Sequence, residues 1–224
     1  MPHDIAFLHT SPVHVPTFDK LMRELAPELS VAHWVREDLL AEAQAAGSDH
    51  PPLIERVRQA LVDAGAGGAA VVVCTCSTIG GLAEGADSQG AFQATRIDRA
   101  MADEAVRHGG SLLLVAALPA TLQPTAALLQ SSAARLGTRI EIANLVVADA
   151  WPLFQAGRHG EYIEAIVMAV VRAASSSHTV VLAQASMAPA AEWLAVRGIV
   201  ALTSPRLGVE NAVALYRERP AGLR

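Results

Sequence analysis

Seven apolar runs punctuate the chain, each closing on small or polar residues: DIAFLHT (4–10), LSVAHWV (29–35), AAVVVCT (69–75), SLLLVAA (111–117), TRIEIAN (138–144), HTVVLAQ (178–184) and GIVALTS (198–204). Their length, their β-branched content and the turn residues behind them predict strands. Between them the apolar positions recur at helical spacing, which predicts helices over 16–26, 52–64, 96–108, 122–136, 159–174, 188–196 and 207–218. Strands that alternate with helices imply an α/β fold with parallel sheets, and continuous Val and Leu runs fit strands covered on both faces.

The pattern is written twice. Sliding the chain along itself by 108 positions puts 5–9 on 113–117, Pro16-Thr17 on Pro124-Thr125, VVVCTCST (71–78) on TVVLAQAS (179–186) and Thr95 on Thr203. Few residues are identical, but the order of strand, Pro-Thr helix start, buried strand and small polar turn is shared. Two similar Rossmann-like units follow, 97–204 forming the second and 1–96 with 205–224 the first. They are expected to be related by a pseudo-twofold axis. Ligands of open α/β sheets bind beyond the carboxyl ends of the strands, so the expected active site is a cleft between the units. Cys76 and its counterpart Gln184 would then face each other across it.

Composition narrows the partners. The net charge is -5, and Lys and Arg do not cluster, which argues against nucleic acid. No apolar stretch approaches the roughly 18 residues of a membrane span, and no basic segment leads a long apolar run at the N-terminus, so the expectation is a cytoplasmic protein acting on a small molecule. The chain has 2 Cys, too few with its scattered histidines for a structural metal site. A disulfide between Cys74 and Cys76 would close a very small strained ring, so neither a metal nor a disulfide is expected.

Cys74 lies within a strand pattern and reads as a small buried hydrophobe. Cys76 falls where the apolar run yields to STIGG, a turn into a helix whose N–H groups and dipole would raise the thiolate fraction. It reads as a base or nucleophile, or else as a second buried thiol. Ser77 and Thr78 offer an anion-binding turn or an ordinary helix cap, and Ala185 and Ser186 repeat the arrangement in the second unit. His9 and Thr10 follow the first strand, His9 either titrating near neutral pH or bonding locally. Thr121 either touches ligand or caps a helix, and Arg206 either pairs with an anion or has a surface role. The small-residue stretch 79–95 reads as an edge of the cleft or as a loop plus a short strand.

Together these positions resemble the aspartate/glutamate racemase superfamily, which includes hydantoin racemases, maleate isomerases and arylmalonate decarboxylases. The resemblance spans nearly the whole chain. In that family a cysteine and a small polar pair end a strand of the first unit, as Cys76-Ser77-Thr78 does here. A second cysteine ends the matching strand of the second unit, where this chain has Gln184 within LAQAS (182–186). The resemblance implies cofactor-independent proton chemistry at the α-carbon of a small carboxylic acid, with substrate contacts at Ser77, Thr78, Thr121, Ala185 and Ser186, and a homodimer. An amide cannot hold and return a proton near neutral pH, so two-thiol racemisation is disfavoured. Isomerase- or decarboxylase-type chemistry through Cys76 alone is the first expectation, with His9, Thr10 and Gln184 also at the substrate. The alternatives are an amino-acid or hydantoin racemase with His9 as second base, and a non-catalytic carboxylate-binding protein.

Overall fold

The computed structural model describes residues 3–86 and 91–219, and the chain divides into two compact units, Met1–Asp98 with Pro205–Arg224 and Arg99–Ser204. The first unit is built on a parallel four-stranded sheet of β1 (Ile5–His9), β2 (Val31–Val35), β3 (Val71–Cys74) and β4 (Gln93–Arg96), in the order β2-β1-β3-β4. Because side chains alternate across a strand, its two faces can be read from the core. Ile5, Phe7, Val71 and Val73 pack with Phe18 and Met22 of α1 (Val15–Leu25) and with Val209, Ala212 and Val213 of α10 (Ser204–Arg217). Ala6, Leu8, Val72 and Cys74 pack instead with Leu39 of α2 (Glu37–Ala46), Leu53, Val57 and Leu61 of α3 (Pro51–Gly65) and Ala83 of α4 (Gly80–Glu84).

The second unit repeats this plan with β5 (Gly110–Ala116), β6 (Ile140–Val146), β7 (His178–Leu182) and β8 (Ala201–Thr203), all parallel, in the order β6-β5-β7-β8. One face carries Leu113, Val115, Val180 and Leu182 against α7 (Ala150–Gln155), α8 (His159–Ala173) and α9 (Ala190–Ala195). The other is covered by α5 (Arg99–His108) on β7 and β8 and by α6 (Leu122–Leu136) on β5 and β6. The expected α/β class and the doubled parallel-sheet architecture are borne out. The 108-residue offset superposes more than the matches that revealed it: β2 falls on 139–143, α3 on 159–173 and β4 on 201–204.

Two short helices, α2 and α7, were not expected. The predicted helix over 96–108 starts instead at Arg99, because 93–96 is a strand. Of the stretch 79–95, residues 87–90 lie outside the described residues; the remainder contributes α4 and β4. Helix α10 reaches the first unit through a close approach at Gly208, where a Cβ would stand 2.1 Å from the Ile97 carbonyl oxygen and 2.4 Å from its Cδ1. Backbone cannot yield as a side-chain tip can. Gly208→Ala is expected to cost at least the 1–3 kcal/mol of ordinary overpacking, read as a lower denaturation midpoint.

Candidate active site

In the first unit the carboxyl end of β3 separates the two thiols by one turn of the pleat. Cys74, the last residue of the strand, is wholly enclosed in the α2/α3 core, and its Sγ–H points to the Cys76 carbonyl oxygen at 3.7 Å. Burial, and then the neighbouring Cys76 thiol, push its proton affinity well above the ordinary thiol range. It is a core residue, as its pattern implies. Cys76 lies beyond the ladder, partly exposed at the margin of the same core, and both thiols are free. Native iodoacetamide treatment is therefore expected to modify Cys76 and leave Cys74 untouched until denaturant is added, as read by peptide mass mapping.

The stretch after Cys76 is a turn into a helix, as expected, but the helix starts late. Ser77, Thr78 and Ile79 form a turn, and α4 begins only at Gly80 and runs five residues. A dipole that short and that far along supplies little at Cys76. Another device fixes the turn. Arg96, at the end of β4, forms a bidentate pair with Asp98, Nε to Oδ1 at 2.6 Å and Nη2 to Oδ2 at 2.9 Å, and the same Nη2 donates to the Ser77 carbonyl oxygen at 3.2 Å. Arg96 is 3% exposed and Asp98 0%, so these are buried charges anchoring the residue next to Cys76. Gly80 leaves the space, since a Cβ there would meet the guanidinium at 3.0–3.2 Å. Ser77 and Thr78 are buried within this turn.

His9 and Thr10 leave β1 beside it, both buried. His9 has both ring nitrogens engaged by protein: Nδ1 lies 2.9 Å from Thr75 Oγ1 and Nε2 lies 2.8 Å from His33 Nδ1, while His33 Nε2 is 3.2 Å from Asp19 Oδ1. Burial, followed by His33 and His14, holds the His9 imidazole down to about 3. It is a neutral internal link at neutral pH, and neither nitrogen is left for a ligand. Of the two options for His9, local bonding is the one the geometry supports.

In the second unit Gln184 occupies the position two residues past β7 that Cys76 occupies past β3. Its Oε1 accepts from two consecutive backbone N–H groups, Ala117 at 2.7 Å and Leu118 at 3.1 Å. The reversed amide would set NH2 against two donors, so the orientation is fixed and the end left over is Nε2, a donor only. Ala185 and Ser186 follow in a 3-10 turn, and the Ser186 hydroxyl lies 2.8 Å from the buried Tyr162 hydroxyl. Thr121 is buried just ahead of α6 and makes no side-chain capping bond to it. Arg206 pairs with Glu24 on the surface of the first unit.

Sequence reasoning missed Arg96, Asp98, His33, Asp19 and Tyr162. Only Arg96 carried a usable signal, because it follows Thr95, a position the internal repeat had already matched. Among the described residues no group of three or more His, Cys, Asp or Glu is placed to hold a metal ion, and no helix is long and apolar enough to cross a membrane.

No family model and no curated protein sequence matches the chain. Solved structures do. The aspartate racemase of Picrophilus torridus aligns over 98% of this chain and 96% of its own, with a TM-score of 0.73 at 11% identity. The allantoin racemase of Klebsiella pneumoniae aligns over 96% and 88%, TM-score 0.63 at 18% identity. An arylmalonate decarboxylase variant aligns over 97% and 94%, TM-score 0.61 at 18% identity. At these identities the likeness is one of fold, and the fold is the one that the sequence resemblance implies.

Proposed function

We propose that this chain is a cofactor-independent, cytoplasmic enzyme of the aspartate/glutamate racemase type that acts at the α-carbon of a small carboxylic acid through the single thiol of Cys76. The supporting observation is the placement of Cys76: a partly exposed thiol just beyond the carboxyl end of a central strand, in a fold shared with racemases and a decarboxylase. Gln184, with its oxygen pinned, donates from Nε2 to a substrate carboxylate and stabilises the charge that spreads onto that group when the α-carbon becomes a carbanion. Thr10, Ser77, Thr78, Thr121, Ala185 and Ser186 complete the proposed substrate contacts.

Two balanced sequences suit one thiol. In exchange the Cys76 thiolate takes the α-proton, leaving a carbanion delocalised onto the carboxylate, the thiol trades that proton with solvent, and a solvent-derived proton returns to the same face of the carbon. In decarboxylation the C–C bond electrons stay on the α-carbon as carbon dioxide leaves, the thiol protonates that carbon, and solvent reprotonates the thiolate. A second base is not supplied by His9, whose ring nitrogens are both taken and whose conjugate acid is held near 3. Proton NMR in heavy water over a panel of amino acids, hydantoins and malonates tests the reading: α-deuteration or carbon dioxide release by wild type and not by Cys76→Ala supports it. Tight binding with neither reaction would make the protein a carboxylate binder instead.

A further inference from the structure

The chain of groups behind β1 is a hydrogen-bonded row from solvent inward: the Asp19 side chain is 38% exposed, that of His33 14%, and His9 0%. The rings of Phe7 and Phe18 pack against it, Phe7 stacked on His33 at 5.5 Å and Phe18 tilted on His9 at 5.4 Å, so water has no place between the members. The groups around His9 are His14 ahead of α1, Asp19 on α1, His33 on β2 and Thr75 after β3; α10 contributes Val209, Ala212 and Val213 to this core, with Tyr216 at its edge donating its hydroxyl to Asp4.

Donor counting allows two arrangements on the same heavy atoms. A carboxylate only accepts, so His33 Nε2 carries hydrogen in both. With both rings neutral, His33 Nδ1 is bare and accepts from His9 Nε2–H, and His9 Nδ1 is bare and accepts from the Thr75 hydroxyl. When one proton is added, His33 Nδ1–H donates to His9 Nε2. The hydrogen of His9 then resides on Nδ1 and donates to Thr75 Oγ1, whose hydroxyl turns to the Leu8 carbonyl oxygen at 3.2 Å. The added charge rests on His33, the ring nearer solvent, every bond inward has reversed, and His9 has stayed neutral.

We infer that Thr75, His9, His33 and Asp19 form a one-proton relay in which protonation of His33 reverses the His9 tautomer and redirects the Thr75 hydroxyl, making His33 and Asp19 positioning residues for Cys76. The last clause rests on the proposed role of Cys76; the relay itself does not. Leu8 oxygen already accepts the Thr75 N–H at 2.9 Å, so the redirected hydroxyl adds a second bond at the point where the chain leaves β3 for Cys76.

The test is a long-range proton–nitrogen NMR titration of histidine-15N protein from about pH 8 to about pH 5, spanning the ordinary histidine range. His9→Gln and His33→Asn identify the two rings among the 8 histidines. The expected result is that His9 changes from Nε2–H to Nδ1–H at the pH where His33 gains its second N–H, without gaining one itself, and that this change is lost in His33→Asn. A His9 tautomer that does not change with pH in wild type overturns the relay, whether or not the variants fold. The rate of Cys76 alkylation by iodoacetamide is expected to inflect at the same pH and to lose that inflection in His33→Asn. An NMR switch without the alkylation step overturns the positioning role alone. Neither arm needs a substrate, so a failure here is distinct from a failure of the proposed reaction.

Discussion

In Cys76→Ala, α-proton exchange and carbon dioxide release fall by about 10²–10⁴-fold, the range that one positioned acid–base group supplies. The loss is expected to be this complete because the described residues offer no substitute. Cys74 is sealed in the core with its proton affinity raised, the equivalent position in the other unit is an amide that only donates, and His9 is committed to Thr75 and His33. Binding survives the substitution, since the proposed anchors Gln184, Ser77 and Thr78 remain, so the change is in kcat with KM largely kept. Single-turnover assays and isothermal binding separate the two. One thiol also predicts stereochemistry: decarboxylation of a prochiral malonate in heavy water yields one deuterated enantiomer, and a racemic product would count against delivery from one face.

The second large effect concerns stability. Asp98→Asn is expected to lower stability by about 3–5 kcal/mol, because it leaves the Arg96 guanidinium buried and uncompensated. In a chain of this size that is a fall in melting temperature on the order of 10 °C. The double replacement Arg96→Met with Asp98→Leu removes both charges together and is expected to recover most of the lost stability. It does not restore the bond from Arg96 to the Ser77 carbonyl, so activity stays low while the melt recovers. Equal recovery of both would mean that the pair serves the fold and not the Cys76 turn. If the single variant does not accumulate, the double variant alone still makes the comparison.

How much of this was legible in the sequence depended on whether the signal was local. The strands β1, β3, β5 and β7 announce themselves because each carries an unbroken run of apolar residues buried on both faces. β4, QATR, hides because three of its four residues are polar or charged and its Arg is satisfied by a partner only two positions on, a pairing that looks like solvated charge until the burial is known. Cys74 and Cys76 could be told apart because one lies within the apolar run and the other where that run ends. The roles of His9 and His33 could not, since each sits in a recognised apolar run. Their bond follows from the parallel register that sets Phe7 beside His33 and His9 beside Val35, and nothing local in the sequence specifies that register. Gln184 was found by the repeat, but the backbone grip on its oxygen belongs to the packing of β5 against β7.

The exchange of helices between the two halves of the repeat has a consequence for synthesis. All four strands of the second unit, with α5 and α6 on one face and α7 to α9 on the other, lie within Arg99–Ser204, so it is complete once that stretch has left the ribosome. The first unit is not complete when its own strands have emerged. Ile5, Phe7, Val71 and Val73 share a face that α1 covers only in part, and the rest of the cover is Val209, Ala212 and Val213, more than 100 residues downstream of β4. Domains usually close in the order in which they are translated. Here the later-made unit is free to close first, while the earlier one holds an apolar face open and is the half exposed to holdase chaperones during elongation.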